Sequence, residues 1–381
     1  MIVAGEASGD GHAAKLVAAL ADAEPQTAFD FFGAAGPRMR AAGVNAIVQS
    51  DELSVVGVAE IARALPMFLA AAKTLKAAAL DRSPDVVVLV DFPDFNLRLA
   101  KWLKRNGFKV VYYISPQLWA WRRYRVSTIR KYVDLLLTIL PFEKIWYAEH
   151  GVEHVVYVGN PLTNEVSSSI SKVEFCRSQN LDSGRPIISL LPGSRYKEII
   201  RMLPVMLDAA ARLSEERSGA QFVIAIASEG NRADVDDIIS RTANLPKTLR
   251  IVENQTYDAV AASDAAAVTS GTATLETGIL GTPMVIVYKS TTLNYILLRP
   301  LISVQHYGLI NLIAEERVAK ELIQNQFSPT AVAMELRRLL DAETNTAFRE
   351  KLREVRKKLG TGGASKRAAE AILNFLEKGS A

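Results

Sequence analysis

Two carboxylates stand where a strand is predicted to end, in the run DFPDFN at residues 91–96. The run follows Val86–Val90, a continuous apolar stretch typical of a strand that is buried on both faces. Ligands of parallel α/β sheets bind beyond the carboxyl ends of the strands, so a carboxylate at this point could act as a general base. Asp94 and Asn96 could cap the next helix, whereas capping leaves Asp91 without a structural role. We therefore predict that Asp91 is the base and that Asp94 is a helix cap.

Two loops further along the chain have the composition of phosphate sites. In Leu191–Arg195 a short glycine turn precedes an arginine, which suits a phosphate, although a solvated surface turn is the alternative. In Thr269–Glu276 glycine and hydroxyl residues stand where a strand leads into a helix. The free N–H groups and the dipole of such a helix start suit a diphosphate, with ordinary helix capping as the alternative. The predicted donor-site residues are Gly193, Ser194, Arg195, Ser270, Gly271 and Thr272, with Glu276 placed for a ribose hydroxyl.

The loop GEASGD at residues 5–10 follows the first predicted strand and opens a helix. It lacks the GxGxxG spacing, and its two acidic residues would repel a pyrophosphate, so a dinucleotide site is disfavoured. Two interpretations remain, a ligand loop and a tight turn in which Ser8 or Asp10 caps the helix. The four histidines of the chain show no metal-ligand spacing with Cys or acidic residues. We predict neither a metal nor a cofactor.

Two surfaces admit more than one interpretation. The segment 119–131 mixes aromatic and basic residues as nucleic-acid surfaces do, but the net charge of the chain is only +4. The helix predicted over Ile61–Leu80 carries apolar residues at helical spacing, which fits a core-facing helix or one that dips into a membrane surface. The candidate membrane patch consists of Val58, Ile61, Leu65, Phe68 and Leu69.

The elements that must position these loops form two series. Short apolar strands alternate with longer amphipathic stretches, the pattern of βαβ units and parallel sheets. The helices after three of the ligand loops are predicted to begin at Ala13, Leu97 and Arg201. The alternation stops at a polar, serine-rich stretch near Asn160–Ser171 and then restarts, and beyond Pro329 only helix is predicted. We predict an α/β fold with two Rossmann-like halves, a linker and a helical tail.

Length and composition exclude several classes of protein. A chain of 381 residues has room for two or three domains and a substantial core. The single cysteine, Cys176, precludes an intrachain disulfide and favours a reducing compartment. No apolar run approaches the roughly 18 residues that span a bilayer. Acidic residues at Glu6 and Asp10 argue against a secretory signal.

The motifs taken in order resemble one family, the lipid-A-disaccharide synthases, which are glycosyltransferases of the GT-B fold. Each motif is weak by itself, but the set occurs in family order over nearly the whole chain. The motifs are GEASGD at 5–10, DFPDFN at 91–96, SPQLWAWR at 115–122, LPFEK at 140–144, GNP at 159–161, LLPGSR at 190–195, SGTATLE at 270–276 and GLINLIA at 308–314.

This resemblance implies a reaction and a site. The family moves 2,3-diacylglucosamine from its UDP donor to the 6-hydroxyl of 2,3-diacylglucosamine 1-phosphate, which gives a β-1,6 disaccharide 1-phosphate and UDP. On that basis Asp91 and Arg195 are catalytic, with Asp91 as the base of an inverting, metal-independent displacement. Glu276 and Asn311 are expected near the nucleotide. The residues expected at the acceptor or in the cleft are Glu6, Ser8, Asp94, Asn96, Trp121 and Asn160.

The resemblance also implies an organisation. Residues 1–165 are expected to bind the acceptor and lipid, residues 166–345 to bind the UDP-sugar across a central cleft, and residues 346–381 to form helices that pack back on an N-terminal domain. The enzyme is expected in the cytoplasm of a Gram-negative-type bacterium, in peripheral contact with lipid at the inner face of the cytoplasmic membrane. A homodimer could form by exchange of C-terminal helices, and no nucleic acid is expected as a partner.

Two other functions remain open at this point. The first is another UDP-sugar enzyme of the same fold, such as an epimerase or a peptidoglycan-type glycosyltransferase. The second is a non-enzymatic nucleotide- or RNA-binding protein that uses the segment 119–131.

Overall fold

The computed structural model describes residues 1–51, 58–217, 219–226, 229–291 and 306–378, without the side chains of residues 58–64 and 229. The chain divides into two compact units. The first unit comprises Met1–Pro161 together with Thr361–Ala381, and the second comprises Leu162–Gly360.

The first unit is built on a parallel β-sheet. Its strands are β1 (Ile2–Ala4), β2 (Phe32–Ala35), β3 (Asn45–Gln49), β4 (Val87–Val90), β5 (Val110–Tyr113), β6 (Leu135–Thr138) and β7 (Val155–Tyr157). They lie in the order β3-β2-β1-β4-β5-β6-β7. The helices between them are α1 (Ala7–Ala23), α2 (Pro37–Ala41), α3 (Val58–Arg82), α4 (Pro93–Arg105), α5 (Val126–Tyr132) and α6 (Glu143–Glu149), and the helix Ala364–Lys378 packs against α1.

Burial on both faces explains the continuous apolar strands of this unit. Successive side chains of a strand point to opposite faces, and in β4 Val87 and Leu89 join one hydrophobic cluster while Val88 and Val90 join the other. The first cluster is completed by residues of α3, α4 and α5, and the second by residues of α1, α2 and the helix Ala364–Lys378. Helices therefore cover both faces, as a parallel sheet requires.

The second unit repeats this arrangement. Its strands are β8 (Ile187–Leu191), β9 (Gln221–Ile226), β10 (Leu249–Glu253), β11 (Ala265–Thr269), β12 (Met284–Tyr288) and β13 (Glu321–Ile323). They are parallel and lie in the order β10-β9-β8-β11-β12-β13. The helices are α7 (Leu162–Glu165), α8 (Lys172–Ser178), α9 (Tyr196–Glu216), α10 (Arg232–Arg241), α11 (Thr256–Ala262), α12 (Thr272–Ile279), α13 (Leu309–Ala314), α14 (Pro329–Leu339) and α15 (Ala342–Lys358), and Ala364–Lys378 is α16.

The two parallel α/β halves and the helical C-terminal region are as predicted, but three helices begin earlier than the sequence analysis placed them. The starts predicted at Ala13, Leu97 and Arg201 lie at Ala7, Pro93 and Tyr196. The loops after β1, β4 and β8 are therefore short, and several predicted loop residues lie in first helical turns. In the described ranges, none of the helices combines the length and the apolar composition that a membrane crossing requires.

Candidate active site

Asp91 begins the turn between β4 and α4 with its backbone in the left-handed region, at a φ of 46°. Its carbonyl oxygen accepts hydrogen bonds from Asn96 Nδ2 at 2.8 Å and from the Tyr112 hydroxyl at 2.7 Å. Asn96 and Tyr112 are fully buried, so these contacts fix the direction in which Asp91 leaves the strand. Phe92, at a φ of 51°, covers Gly5, where a Cβ would lie 2.2 Å from the aromatic ring. Asn96, predicted at the acceptor, thus positions Asp91 from the core.

The Asp91 carboxyl group holds its proton more tightly than an ordinary aspartate. Removal from water, reinforced by the carboxylate of Glu6, raises the pKa of Asp91 to about 6. A hydrogen bond from the Phe92 N–H and the charge of His12 oppose this shift. A group with this pKa is mostly ionised at pH 7 and is more basic than a solvated carboxylate, as a general base requires.

The prediction that Asp94 caps α4 is wrong. The N-cap residue is Phe92, no side chain caps the helix, and Pro93 occupies its first position. Oδ1 of Asp94 instead accepts hydrogen bonds from Arg122 Nη1 at 2.9 Å and from Arg125 Nη2. Burial raises the pKa of Asp94, but the two guanidinium groups outweigh it and hold the pKa below its ordinary value. Asp94 is therefore an ionised partner of two arginines.

The GEASGD loop serves two purposes. Glu6 and Ser8 are exposed at the carboxyl end of β1, and neither side chain caps α1. Asp10 is buried, and its carboxylate accepts hydrogen bonds from the N–H groups of Gly36 and Arg38, both at 2.8 Å. The alternative in which Ser8 or Asp10 caps its own helix is wrong, because α1 has no side-chain cap and Asp10 instead caps the start of α2.

A buried carboxylate that the sequence analysis did not select fastens the loop after β5. Oε1 of Glu143 accepts hydrogen bonds from Ser115 Oγ at 2.8 Å and Trp119 Nε1 at 3.0 Å, and Oε2 accepts one from the Leu140 N–H at 3.0 Å. Desolvation raises the pKa of Glu143 to about 7, although these hydrogen bonds oppose the shift. The loop ends at Trp121, whose side chain is exposed. The glutamate of the LPFEK motif was the signal that could have revealed this anchor.

In the second unit the turn between β8 and α9 carries three predicted donor-site residues. Gly193 has a φ of 108°, and a Cβ there would lie 2.5 Å from Glu198 Oε2, so this position requires glycine. The same Glu198 oxygen accepts hydrogen bonds from the N–H groups of Ser194 at 3.2 Å and Arg195 at 3.4 Å. The side chain of Arg195 is 75% exposed. Glu198 thus fixes the backbone of a turn that presents a guanidinium group to solvent.

The turn between β11 and α12 lies at the same edge of the second sheet. The Thr269 hydroxyl donates to the Leu191 carbonyl at 2.9 Å, which joins the ends of β11 and β8. Gly271 and Thr272 are exposed, and α12 begins with no side-chain cap, so the capping alternative is wrong. This helix start therefore offers N–H groups to a ligand.

Glu276 lies one turn into α12 and is partly buried. The hydroxyl of Tyr257 donates to its Oε1 at 3.0 Å. Burial raises the pKa of Glu276, the Tyr257 hydrogen bond opposes this, and the charge of Glu165 adds to it. The contact occupies one carboxylate oxygen and fixes the orientation of the group.

Asn311, expected near the nucleotide, is buried and bound to the protein itself. Its Nδ2 donates to the Ala319 carbonyl at 2.7 Å and to Glu321 Oε1 at 3.0 Å, and its Oδ1 accepts from the Ala319 N–H at 2.8 Å. Glu321 Oε1 also accepts from the Tyr307 N–H at 2.9 Å. The Ser270 hydroxyl donates to the Tyr307 carbonyl at 2.9 Å. Asn311 thus holds the loop that contacts Ser270.

The candidate membrane patch divides into two parts. Leu65 and Leu69 are 47% and 61% exposed. Phe68 instead packs against Phe92 and Phe95, with ring centres 6.0 and 6.3 Å apart. Phe68 therefore contacts the turn that carries Asp91. The side chains of Val58 and Ile61 lie outside the described residues.

Two further expectations concern metal and the acceptor. Within the part of the chain that the structure describes, no group of three or more His, Cys, Asp or Glu residues could hold a metal ion. The absence of a metal remains a prediction for experiment. Asn160, expected at the acceptor, is buried.

Two α/β units of this kind, each built on a parallel sheet, define the GT-B class of fold. Solved structures agree at the level of the fold. The calicheamicin glycosyltransferase CalG4 matches with a TM-score of 0.62 at 17% identity, over 100% of this chain and 97% of that one. A UDP-GlcNAc 2-epimerase from Neisseria meningitidis bound to UDP-GlcNAc matches with a TM-score of 0.62 at 13% identity, over 96% of this chain and 97% of that one. The fold alone therefore does not separate a transferase from an epimerase.

Sequence comparison makes that separation. The family described as lipid-A-disaccharide synthetase matches residues 1–375. The lipid-A-disaccharide synthase of Trichlorobacter lovleyi is 45% identical over 379 residues, 99% of this chain and 97% of the relative. The lipid-A-disaccharide synthase of Myxococcus xanthus is 45% identical over 380 residues, which are 100% of this chain and 98% of the relative. The chain belongs to the lipid-A-disaccharide synthase family and is a glycosyltransferase of lipid A synthesis, which confirms the resemblance found in its motifs.

Proposed function

We propose that this enzyme transfers 2,3-diacylglucosamine from UDP-2,3-diacylglucosamine to the 6-hydroxyl of 2,3-diacylglucosamine 1-phosphate. The products are a β-1,6 disaccharide 1-phosphate and UDP. The observation that carries the proposal is Asp91, a carboxyl group of raised pKa at the end of a central strand in a chain of this family. We assign the acceptor to the first unit, where residues 1–165 were expected, and the UDP-sugar to the second unit, where residues 166–345 were expected. The boundary between the units lies after Pro161.

Asp91 is the proposed general base. Inversion at the anomeric carbon requires the acceptor hydroxyl to lose its proton as its oxygen attacks, and Asp91 takes that proton. Burial and the charge of Glu6 make the carboxylate basic enough for this step. Asn96 and Tyr112 hold it in place through the Asp91 carbonyl oxygen.

The leaving diphosphate is stabilised by fixed positive charge and N–H groups. Arg195 presents an exposed guanidinium from the turn after β8, and the start of α12 supplies N–H groups at Gly271 and Thr272. Glu276 binds a ribose hydroxyl. Asn311 acts through the Tyr307 loop rather than by direct contact. This arrangement needs no metal ion.

We also propose that the enzyme works in the cytoplasm, in peripheral contact with lipid at the inner face of the cytoplasmic membrane. Both substrates carry acyl chains, and the exposed Leu65 and Leu69 offer apolar area for such a contact. A homodimer would form if α16 packed against α1 of a second copy instead of α1 of its own chain. Native mass spectrometry measures whether the enzyme is a dimer.

Product analysis tests the proposed reaction. Purified enzyme is incubated with both substrates, and the disaccharide 1-phosphate and UDP are identified by mass, with the β-1,6 linkage assigned by NMR. Arg195→Gln should abolish most turnover, whereas Arg185→Gln, which removes another exposed arginine of the same unit, should not. Loss of donor without disaccharide would indicate hydrolysis or epimerisation and would overturn the proposal.

A further inference from the structure

Arginines cluster at the carboxyl edge of the first sheet, beside the turn that carries Asp91. Arg122 and Arg125 converge on a single carboxylate oxygen, Oδ1 of Asp94, and Arg123 lies between them in the chain. Two guanidinium groups against one carboxylate leave a net positive charge at this point. The cluster therefore attracts an anion even with Asp94 in place.

The geometry of this cluster is fixed by its surroundings. Arg122 has a φ of 55°, a conformation that residues other than glycine adopt only when their neighbours hold them. Its guanidinium stacks on Trp121, 4.1 Å from the ring centre. The side chains of Arg122 and Arg125 are only 33% and 20% exposed. An ion pair near the surface stabilises a protein little, so stability is a weak reason for this arrangement.

The arginines also have donors left over. A guanidinium carries five N–H groups in a planar fork that matches the oxygens of a phosphate. Arg122 and Arg125 each direct one nitrogen to Asp94 Oδ1, and Arg125 also hydrogen-bonds Tyr124. Each arginine still has further N–H groups for a second anion.

The cluster is close to the proposed base. Asp94 follows Asp91 by three residues and lies in the first turn of α4. Burial raises the pKa of Tyr112 well above its ordinary value, the charges of Asp91 and Asp94 add to this, and that of Arg125 opposes it. Tyr112 thus lies within electrostatic range of both groups. In a glucosamine 1-phosphate the 6-hydroxyl and the phosphate flank the same ring oxygen, so one acceptor molecule brings the two groups to neighbouring positions.

We propose that Arg122 and Arg125 bind the phosphate of the acceptor and so direct its 6-hydroxyl to Asp91. This inference rests on the proposed function, because it takes the phosphorylated acceptor from there. The stacked Trp121 holds the Arg122 guanidinium, and Asp94 holds the spacing of the two arginines. The subsite selects acceptors that carry an anionic group and disfavours neutral ones.

Calorimetry without the donor tests the subsite. The ligands are 2,3-diacylglucosamine with short acyl chains, with and without its 1-phosphate, and the proteins are the wild type and the double variant Arg122→Gln/Arg125→Gln. The wild type should prefer the phosphorylated acceptor, and the double variant should lose about 10- to 100-fold of that preference. The matched control is Arg105→Gln, which removes a charge at the other end of α4, about 18 Å from its start, and should keep the preference.

Several outcomes would overturn the subsite. They are an unchanged preference in the double variant, an equal loss of affinity for both acceptors, and no preference in the wild type. If the double variant fails to fold, Arg122→Lys and Arg125→Lys keep the charge but remove the planar fork, and each should still reduce the preference. A wild type that prefers the phosphorylated acceptor yet forms no disaccharide would refute the proposed function and leave the subsite intact.

Discussion

Replacing Asp91 by asparagine should make the first unit more stable at neutral pH while it removes the proposed base. The pKa of Asp91 is raised to about 6 in the folded protein, against about 3.9 in an unfolded chain. Each unit of difference corresponds to about 1.4 kcal/mol, so keeping this group ionised in the folded state costs up to about 3 kcal/mol. Asparagine suits the left-handed backbone at this position, whereas alanine would add strain.

The pH dependence of this effect has a definite sign. The folded chain holds the Asp91 proton more tightly than the unfolded chain, so unfolding between about pH 4 and pH 6 releases a proton. The contribution of Asp91 to the free energy of unfolding therefore falls as the pH rises through this range and is constant above it. Asp91→Asn should stabilise by up to about 3 kcal/mol at pH 8 and by little at pH 4.

Urea denaturation followed by tryptophan fluorescence measures the effect on the correct unit. The four tryptophans, at positions 102, 119, 121 and 146, all lie within Met1–Pro161. Asp81→Asn, at an exposed position of α3, is the matched control and should change stability little at either pH. Destabilisation of Asp91→Asn at pH 8, or an equal shift at both pH values, would refute the reasoning.

Three other predictions follow from the site. In Glu143→Gln the new amide N–H₂ group faces either the backbone N–H donor of Leu140 or Ser115, so one hydrogen bond that fastens the loop after β5 is lost. In steady-state kinetics KM for the acceptor should therefore rise about 10-fold, whereas KM for the donor should not change. An unaltered acceptor KM would contradict the anchoring role. The double variant Leu65→Ser/Leu69→Ser should weaken co-sedimentation with anionic vesicles and change the free energy of unfolding by less than about 0.5 kcal/mol, because both leucines are exposed. Phe68→Ser should lower the free energy of unfolding by about 1–3 kcal/mol, because Phe68 packs against Phe92. Vesicle binding that survives the double leucine change would remove the membrane patch. Turnover should persist in EDTA, and a loss that Mg²⁺ or Mn²⁺ restores would show that a metal carries the diphosphate charge.

Much of the fold could be predicted because burial on both faces leaves a plain pattern in the sequence. The continuous apolar run of β4 is an example. The strands β2, β3 and β13 were not predicted, since β2 is interrupted by Gly33, β3 is only partly buried and β13 begins with the charged Glu321 and so has only two apolar residues. The early start of α4 had a local signal that was not used, because proline is favoured at the first helical position.

The site divides in the same way between local and distant contacts. Asp91 and Arg195 could be selected from the sequence alone, because each stands in the turn after a predicted strand. Some of their supports are local, since Asn96 and Glu198 lie five and three positions after Asp91 and Arg195. Other contacts at the site could not be predicted, because they join residues far apart in sequence. Tyr112 lies 21 positions after Asp91, and Glu143 lies 28 positions after Ser115. Asp94 was misassigned for the same reason, since its arginine partners lie 28 and 31 positions away.

The pH dependence of kcat/KM for disaccharide formation is the most direct test of Asp91 as the base of glycosyl transfer. The rate should rise about tenfold per pH unit up to a pKa of about 6 and then level off, because only ionised Asp91 accepts the proton. Glu6→Gln removes the neighbouring charge and should move this acid limb to lower pH. A rate that is constant from pH 5 to pH 8, or an acid limb that persists in Asp91→Asn at wild-type rates, would contradict the mechanism.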